Sequence, residues 1–309
     1  MTEGTLQGQS STSRFQAWML AIRPKTLPAG AVPVVVGTAL AAVDGKMLPI
    51  AAVVALLCAL GIQVATNFIN EIYDFRKGAD TADRLGPTRT VAAGLVSEKN
   101  MIVVSVFLLV AVFFMGLYLV YLAGWPILLV GLLSMFFAWA YTGGPFPIAY
   151  SGLGDLFVFI FFGLVAVGGT YYVQAQEVTF PVLTAAIAPG LFSVNILLVN
   201  NIRDIDTDRK VGKMTLPARI GGGNARWLYL GFTIVAYFVP VWMWMTGYSL
   251  WVMLSWLSLP LAVSQTKTLF GSDGRALNAV LAGTGRVMTL YGFLFSAGLL
   301  VPALSALFL

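Results

Sequence analysis

The chain has 309 residues, 59% hydrophobic and only 10% charged, against roughly 45–50% and about 25% in soluble domains. This composition excludes a soluble globular protein. With about 20 residues per crossing it leaves room for roughly eight to ten spans and for no second, soluble domain. The net charge of +5 resides in short loops between apolar runs, where membrane topology accounts for it without nucleic acid.

Residues 1–15, rich in Ser, Thr, Gln and Gly, read as a disordered tail without a cleaved signal peptide. Residues 16–309 read as a single membrane domain. Apolar runs of spanning length follow at about 18–43, 48–73, 101–123, 125–142, 153–174, 180–202, 227–246, 248–265 and 286–308. They predict an all-α, multi-pass fold of about nine transmembrane helices. A cytoplasmic N-terminus puts seventeen of the eighteen Lys and Arg residues on the cytoplasmic side, Lys46 being the exception. This bias places the protein in the cell membrane with its long polar loops cytoplasmic and its C-terminus outside. The lone cysteine, Cys58, sits in an apolar run and permits no intrachain disulfide.

Two inward loops, about 74–100 and 203–226, hold most of the polarity. Asn70 and Asp74 are four apart, as are Asn200 and Asp204, and the offset between the pairs is 130 residues. A Thr, a short apolar stretch and a Gly recur later in each loop, as TVAAG from Thr90 and TLPARIG from Thr215. The pattern predicts a repeat of four-helix units in one orientation, with both acidic loops brought to a central cavity.

On the second run, Gln63, Asn67, Asn70 and Asp74 share one helical face, with Glu71 four after Asn67. Asn200, Asp204 and Asp208 repeat the arrangement, with Asn201 and Asp206 beside them. Either stretch alone is also a helix end frayed into water. Two copies extending back into apolar chain favour a site, because buried polar groups cost free energy without partners. Without histidine and with a single remote cysteine, the ligand types select a hard cation held by oxygen, such as magnesium completed by substrate phosphate. Arg76, Lys77, Arg84 and Arg89 in the first loop, and Arg203, Arg209, Lys210 and Lys213 in the second, suit phosphate. Topological charge accounts for about half of such residues equally well. RPKTLP at 23–28 and AYTGGP at 140–145 lie on the same side. Arg23 and Lys25 there are either snorkelling anchors or site cations, and Tyr141 is either an interfacial aromatic or a site residue.

The segments NFINEIYDFRKGADTADRLGPTR, from Asn67 to Arg89, and NNIRDIDTDRKVGK, from Asn200 to Lys213, resemble the two Asp-rich motifs of the UbiA superfamily of intramembrane prenyltransferases. RPKTLPAGAVPVVVGTAL, KGAD followed by DRLGPTR, and AYTGGPFPIAYSGLGDLFVFIFFG are similar to its branch acting on 1,4-dihydroxy-2-naphthoate. The likeness runs from about residue 16 to the C-terminus. It implies transfer of a polyprenyl group from polyprenyl pyrophosphate to that acceptor within the lipid bilayer, with loss of carbon dioxide. It also implies magnesium on Asn70, Asp74, Asp80, Asp204 and Asp208. Substrate contacts then fall to Arg23, Lys25, Asn67, Lys77, Arg84, Arg89, Asn200, Asn201, Arg203 and Lys213, and Tyr141 faces the carbocation or orients the acceptor.

Glu71 departs from the superfamily's usual Asn-Asp-x-x-Asp, and the next acid after Asp74 is Asp80 rather than one four residues on. No Lys or Arg occurs between Met101 and Ile202, unlike the branch that prenylates 4-hydroxybenzoate. Rival readings are a UbiA-type transferase for another aromatic or lipid acceptor, and a secondary transporter, whose site belongs nearer the membrane midplane.

Overall fold

A computed structural model describes residues 13–80 and 84–305; the expected tail, up to residue 12, lies outside them. The first described helix is α1 (Arg14–Ile22). Ser13 and Gln16 cap it reciprocally, each side chain bonding the other's backbone N–H.

The described chain is helical throughout. After α1 come α2 (Pro28–Val43), α3 (Pro49–Arg76), α4 (Glu98–Ala123), α5 (Trp125–Ala140), α6 (Gly154–Ala175) and α7 (Phe180–Arg203). Two short pieces, α8 (Ile205–Lys210) and α9 (Leu216–Ile220), precede α10 (Gly222–Met245), α11 (Leu259–Phe270) and α12 (Leu277–Ser305). Among the described residues each expected apolar run falls mostly on helical chain, the last as far as residue 305. By length and composition, six helices qualify as spans among the described residues, seven if the segment Arg14–Thr26 and α2, bent by 50° across Leu27, count as one. The shortfall from nine has two sources. Helix α5 has only 16 residues, and the run expected at 248–265 divides between a 3-10 segment, Leu250–Ser258, and α11.

Apolar side chains fill the core and also cover the outside, as a lipid solvent requires. Helix α7 is central, with 83% of its most apolar window buried, whereas α4 has 17%. Outward-facing apolar side chains such as Phe107, Phe114, Tyr121 and Trp125 are exposed and present hydrocarbon to the bilayer. Small residues let the central helices close on one another. A Cβ on Gly163 in α6 would lie 2.9 Å from the Ala186 carbonyl oxygen and 3.0 Å from the Gly190 Cα in α7, so glycine is required on both sides. Gly163 lies in a π-helical turn, Ile160–Val165, which shifts the register of α6 where it meets α7.

The second motif departs from the first in local structure. Asp74 lies within α3, but α7 ends at Arg203, Asp204 caps it, and Asp208 sits on α8. The expected single helical face carrying Asn200, Asp204 and Asp208 is therefore broken at Asp204.

Candidate active site

A cavity of about 500 Å³ runs between the helices, with Asn70, Asp74, Arg84, Arg89, Asn200 and Lys213 at its polar end. Val112, Leu119, Ile127 and Phe161 are among the residues lining its apolar remainder. The two loops predicted to converge do converge.

In the first loop the charges form a buried network. The Asp74 carboxylate accepts from Arg89 Nη2 at 3.0 Å and from Tyr150 Oη at 3.4 Å. Asp80 accepts from Arg84 Nη1 at 2.7 Å and from Arg89 Nε at 3.2 Å, and its Oδ2 is buried without a hydrogen-bond partner. Burial pushes the Asp80 carboxyl up to about 6, against the opposing pull of Arg84. Glu71 turns to the loop instead of the cavity, accepting from Thr90 Oγ1 at 2.7 Å and from the Val91 amide at 2.9 Å. Arg23 Nη2 and Arg89 Nη1 stand 3.9 and 4.0 Å from its other oxygen.

The second loop has the same logic with a tighter pair. Arg203 bonds both carboxylate oxygens of Asp204 and donates to Asn200 Oδ1 at 2.8 Å and Asn278 Oδ1 at 2.7 Å. Asp208 stands 3.5 Å from Lys213 Nζ and keeps a buried, unpartnered Oδ2. Burial pushes its carboxyl up to about 6. Burial works against the Lys213 charge, but Asp74, Asp208 and Asp204 outweigh it and hold the ammonium above its ordinary range.

The loops are cross-linked. Asn278, at the start of α12, donates to the Leu85 carbonyl at 2.9 Å while accepting from Arg203. Gly86 packs so close to Arg203 that a Cβ there would lie 2.7 Å from Nη2.

The other expected site residues divide between cavity and scaffold. Asn70 accepts from Thr142 Oγ1 at 2.7 Å, and Lys77 donates to the Thr142 carbonyl at 3.0 Å. Asn201 is buried in the cavity wall, and Lys25 is exposed at its rim. Arg23 lines the cavity from a left-handed backbone position, φ 55°. Asn67 belongs to the scaffold, its amide donating to the Ile22 carbonyl at 3.0 Å and to Thr26 Oγ1 at 3.3 Å. Gln63 donates to the same Thr26. Together they hold the turn that presents Arg23. Tyr141 lines the cavity with its hydroxyl against Gly154, where a Cβ would lie 3.0 Å away.

Among the described residues no three His, Cys, Asp or Glu side chains converge into a metal cage. Magnesium needs only one or two carboxylates, with water and phosphate completing its shell. Asn70 and Asp74 reach the cavity wall, while Asp80, Asp204 and Asp208 stand behind their basic partners. The unpartnered oxygens of Asp80 and Asp208 leave lone pairs free for a hard cation, so the donor set fits.

Three residues of the site carry little signal in the sequence. Thr142 and Asn278 are single polar residues whose partners lie on distant elements. Asp155, at the start of α6, lines the cavity with Oδ1 buried and unpartnered. An acid immediately before the long apolar run of α6 was the available signal.

Residues 31–276 match the model of the UbiA prenyltransferase family. A 1,4-dihydroxy-2-naphthoate octaprenyltransferase of Escherichia coli (strain K12) is 35% identical over 309 aligned positions, covering 96% of this chain and 99% of that protein. The apo structure of a UbiA homolog from Aeropyrum pernix K1 superposes with a TM-score of 0.68 at 20% identity, covering 90% of this chain and 98% of that one. A UbiA homolog from Archaeoglobus fulgidus, bound to GPP and Mg2+, superposes with a TM-score of 0.65 at 16% identity, covering 92% and 99%.

Proposed function

The chain belongs to the UbiA prenyltransferase family, and from that premise we propose that it transfers a polyprenyl group from polyprenyl pyrophosphate to 1,4-dihydroxy-2-naphthoate. One observation carries the reading: two acidic motifs and their cations meet at the polar end of a cavity whose remainder is apolar. A pyrophosphate and its hydrocarbon tail ask for that division. The name of the Escherichia coli relative supports the choice of acceptor.

Asn70, Asp74, Asp80, Asp204 and Asp208 are the oxygen donors for magnesium, as the Mg2+-bound Archaeoglobus fulgidus homolog supports. Bound magnesium supplies neutralisation of the charge that develops on the departing pyrophosphate. Lys77, Lys213, Arg84, Arg89 and Arg203 bind the phosphate oxygens, and Asn200 and Asn201 border them. The allylic C–O bond breaks with its electron pair going to pyrophosphate. Tyr141 offers its ring to the allyl cation from within the cavity, and Arg23, Lys25 or Arg89 holds the acceptor carboxylate. The ring carbon bearing that carboxylate bonds to the allyl carbon. The ring–carboxylate bond then breaks, its electron pair restores aromaticity, and carbon dioxide leaves. No proton need be taken from that carbon, which suits a chain without histidine. The bias of Lys and Arg to this end supports a site at the cytoplasmic face.

The test is purified protein given polyprenyl pyrophosphate, magnesium and acceptor labelled at the carboxyl carbon. One labelled carbon dioxide per prenylated product is expected. A product retaining the label would move the chain to another acceptor class, and no product from any aromatic would defeat the reading.

A further inference from the structure

Tyr150 ends a short 3-10 turn, Ile148–Tyr150, in the connection between α5 and α6. That connection has no Lys or Arg of its own, yet Tyr150 touches both acidic loops at once. Its hydroxyl donates to Asp74 Oδ1 at 3.4 Å. Lys77 Nζ lies 4.1 Å from its ring centroid and Lys213 Nζ lies 5.7 Å from it. Its backbone carbonyl accepts from the Met214 amide at 3.2 Å, and the preceding Ala149 amide donates to the Tyr141 carbonyl at 2.8 Å. The first acidic loop and the second therefore both meet this one residue, and Tyr141 meets its neighbour Ala149.

We propose that Tyr150 is a positioning residue for prenyl transfer, its ring holding Lys77 and Lys213 together for the pyrophosphate and its hydroxyl orienting the Asp74 carboxylate. Two ammonium groups on separate loops repel each other, and an anion between them gains only if they already stand close. The electron-rich face of one aromatic ring is a neutral anchor that attracts both without neutralising either. A carboxylate in that place would pair with the lysines and compete with phosphate. Orientation of Asp74 by the hydroxyl follows the general pattern in which a hydrogen-bond donor behind a metal-ligating carboxylate fixes its direction.

The proposal rests on the prenyl-transfer reading, and ring and hydroxyl are separable by substitution. Tyr150→Phe keeps the ring and Tyr150→Leu removes it. Both variants and the wild type are assayed for KM toward polyprenyl pyrophosphate, for the magnesium concentration giving half-maximal rate, and for thermal unfolding in detergent. Binding of inorganic pyrophosphate with magnesium is measured alongside by calorimetry. Tyr150→Phe is expected to raise the magnesium requirement about tenfold with KM changed less than about twofold. Tyr150→Leu is expected to raise KM and weaken pyrophosphate binding by about tenfold or more, as the loss of two cation contacts requires. A merely structural residue would lower the melting temperature and the amount of active enzyme while leaving both midpoints in place. Unchanged midpoints in Tyr150→Leu, with the wild type active, overturn the proposal alone. A wild type that neither turns over nor binds pyrophosphate overturns it together with the prenyl-transfer reading.

Discussion

Glu71 accepts a 2.7 Å hydrogen bond from the Thr90 hydroxyl, nineteen residues away, and so pins the end of the first acidic loop to α3. The relationship accounts for a glutamate where the superfamily's first motif commonly has aspartate. The longer side chain reaches Thr90 and the Val91 amide together. Glu71→Gln is expected to keep an acceptor for both, to retain turnover within about threefold, and to leave the magnesium requirement unchanged. Glu71→Ala strands a buried hydroxyl and a buried amide at about 1–3 kcal/mol each and should visibly lower the melting temperature in detergent. A magnesium requirement raised in Glu71→Gln would instead make Glu71 a ligand.

Asp74→Asn and Asp204→Asn should each reduce turnover by about a hundredfold or more, because each removes an anionic oxygen donor from the proposed magnesium site. Their stability costs should differ. Arg89 without Asp74 still has Asp80 at 3.2 Å. Arg203 without the Asp204 carboxylate keeps no ion pair among the described residues, only uncharged amide oxygens such as those of Asn200 and Asn278. A buried cation deprived of its anion costs about 3–5 kcal/mol, so Asp204→Asn should melt at the lower temperature. Equal melting curves would contradict the pairing.

Burial raises the carboxyls of both Asp80 and Asp208 to about 6, which fixes the sign of a pH effect. Between pH 7 and 5 both groups take up protons that a metal must displace, which lowers affinity about tenfold per carboxylate across the whole interval. The magnesium concentration for half-maximal rate should therefore climb as pH falls through 6, with the rate at saturating magnesium changing less. For folding the sign is opposite: groups whose pKa is raised in the folded state add stability as pH falls toward their unfolded value. A magnesium requirement that stays flat from pH 7 to 5 would remove Asp80 and Asp208 from the ligand set.

Orientation is testable at exposed positions. In a Cys58→Ala background, Ser97→Cys and Lys210→Cys, one in each acidic-loop region, should react with an impermeant thiol reagent from the cytoplasmic side. Met47→Cys should react from outside, as the basic bias requires. All three side chains are exposed, and labelling of Ser97→Cys and Lys210→Cys from opposite faces would refute the shared site.

The apolar runs were legible because spanning length is a local property of the chain, and the 130-residue offset between Asn70 and Asn200 brought out the convergence of the loops. The jobs of individual polar residues were less legible. Gln63 and Asn67 share the helical face of Asn70, yet their amides serve the turn at Thr26, a partner more than thirty residues away. Asp204 mirrors Asp74 in spacing but not in conformation, since α7 ends just before it. Asn278 has no polar neighbour in its helix to announce it, and Thr142 and Tyr150 lie in a loop where only Tyr141 stood out. Their roles come from tertiary pairing, which spacing along one segment does not encode.

Both acidic motifs lie before residue 214, but the amide that clips their loops together lies beyond them. Asn278 sits on α12, after every expected site residue, and holds Leu85 of one loop and Arg203 of the other. Without that amide the two loops would face each other with no side chain bonded to both. Helix α12 acts as a splint between the loops, so a chain ending before Leu277 would retain every candidate ligand and is expected to lack the latched site. The same helix, co-expressed as a separate fragment, would be the means of restoring it.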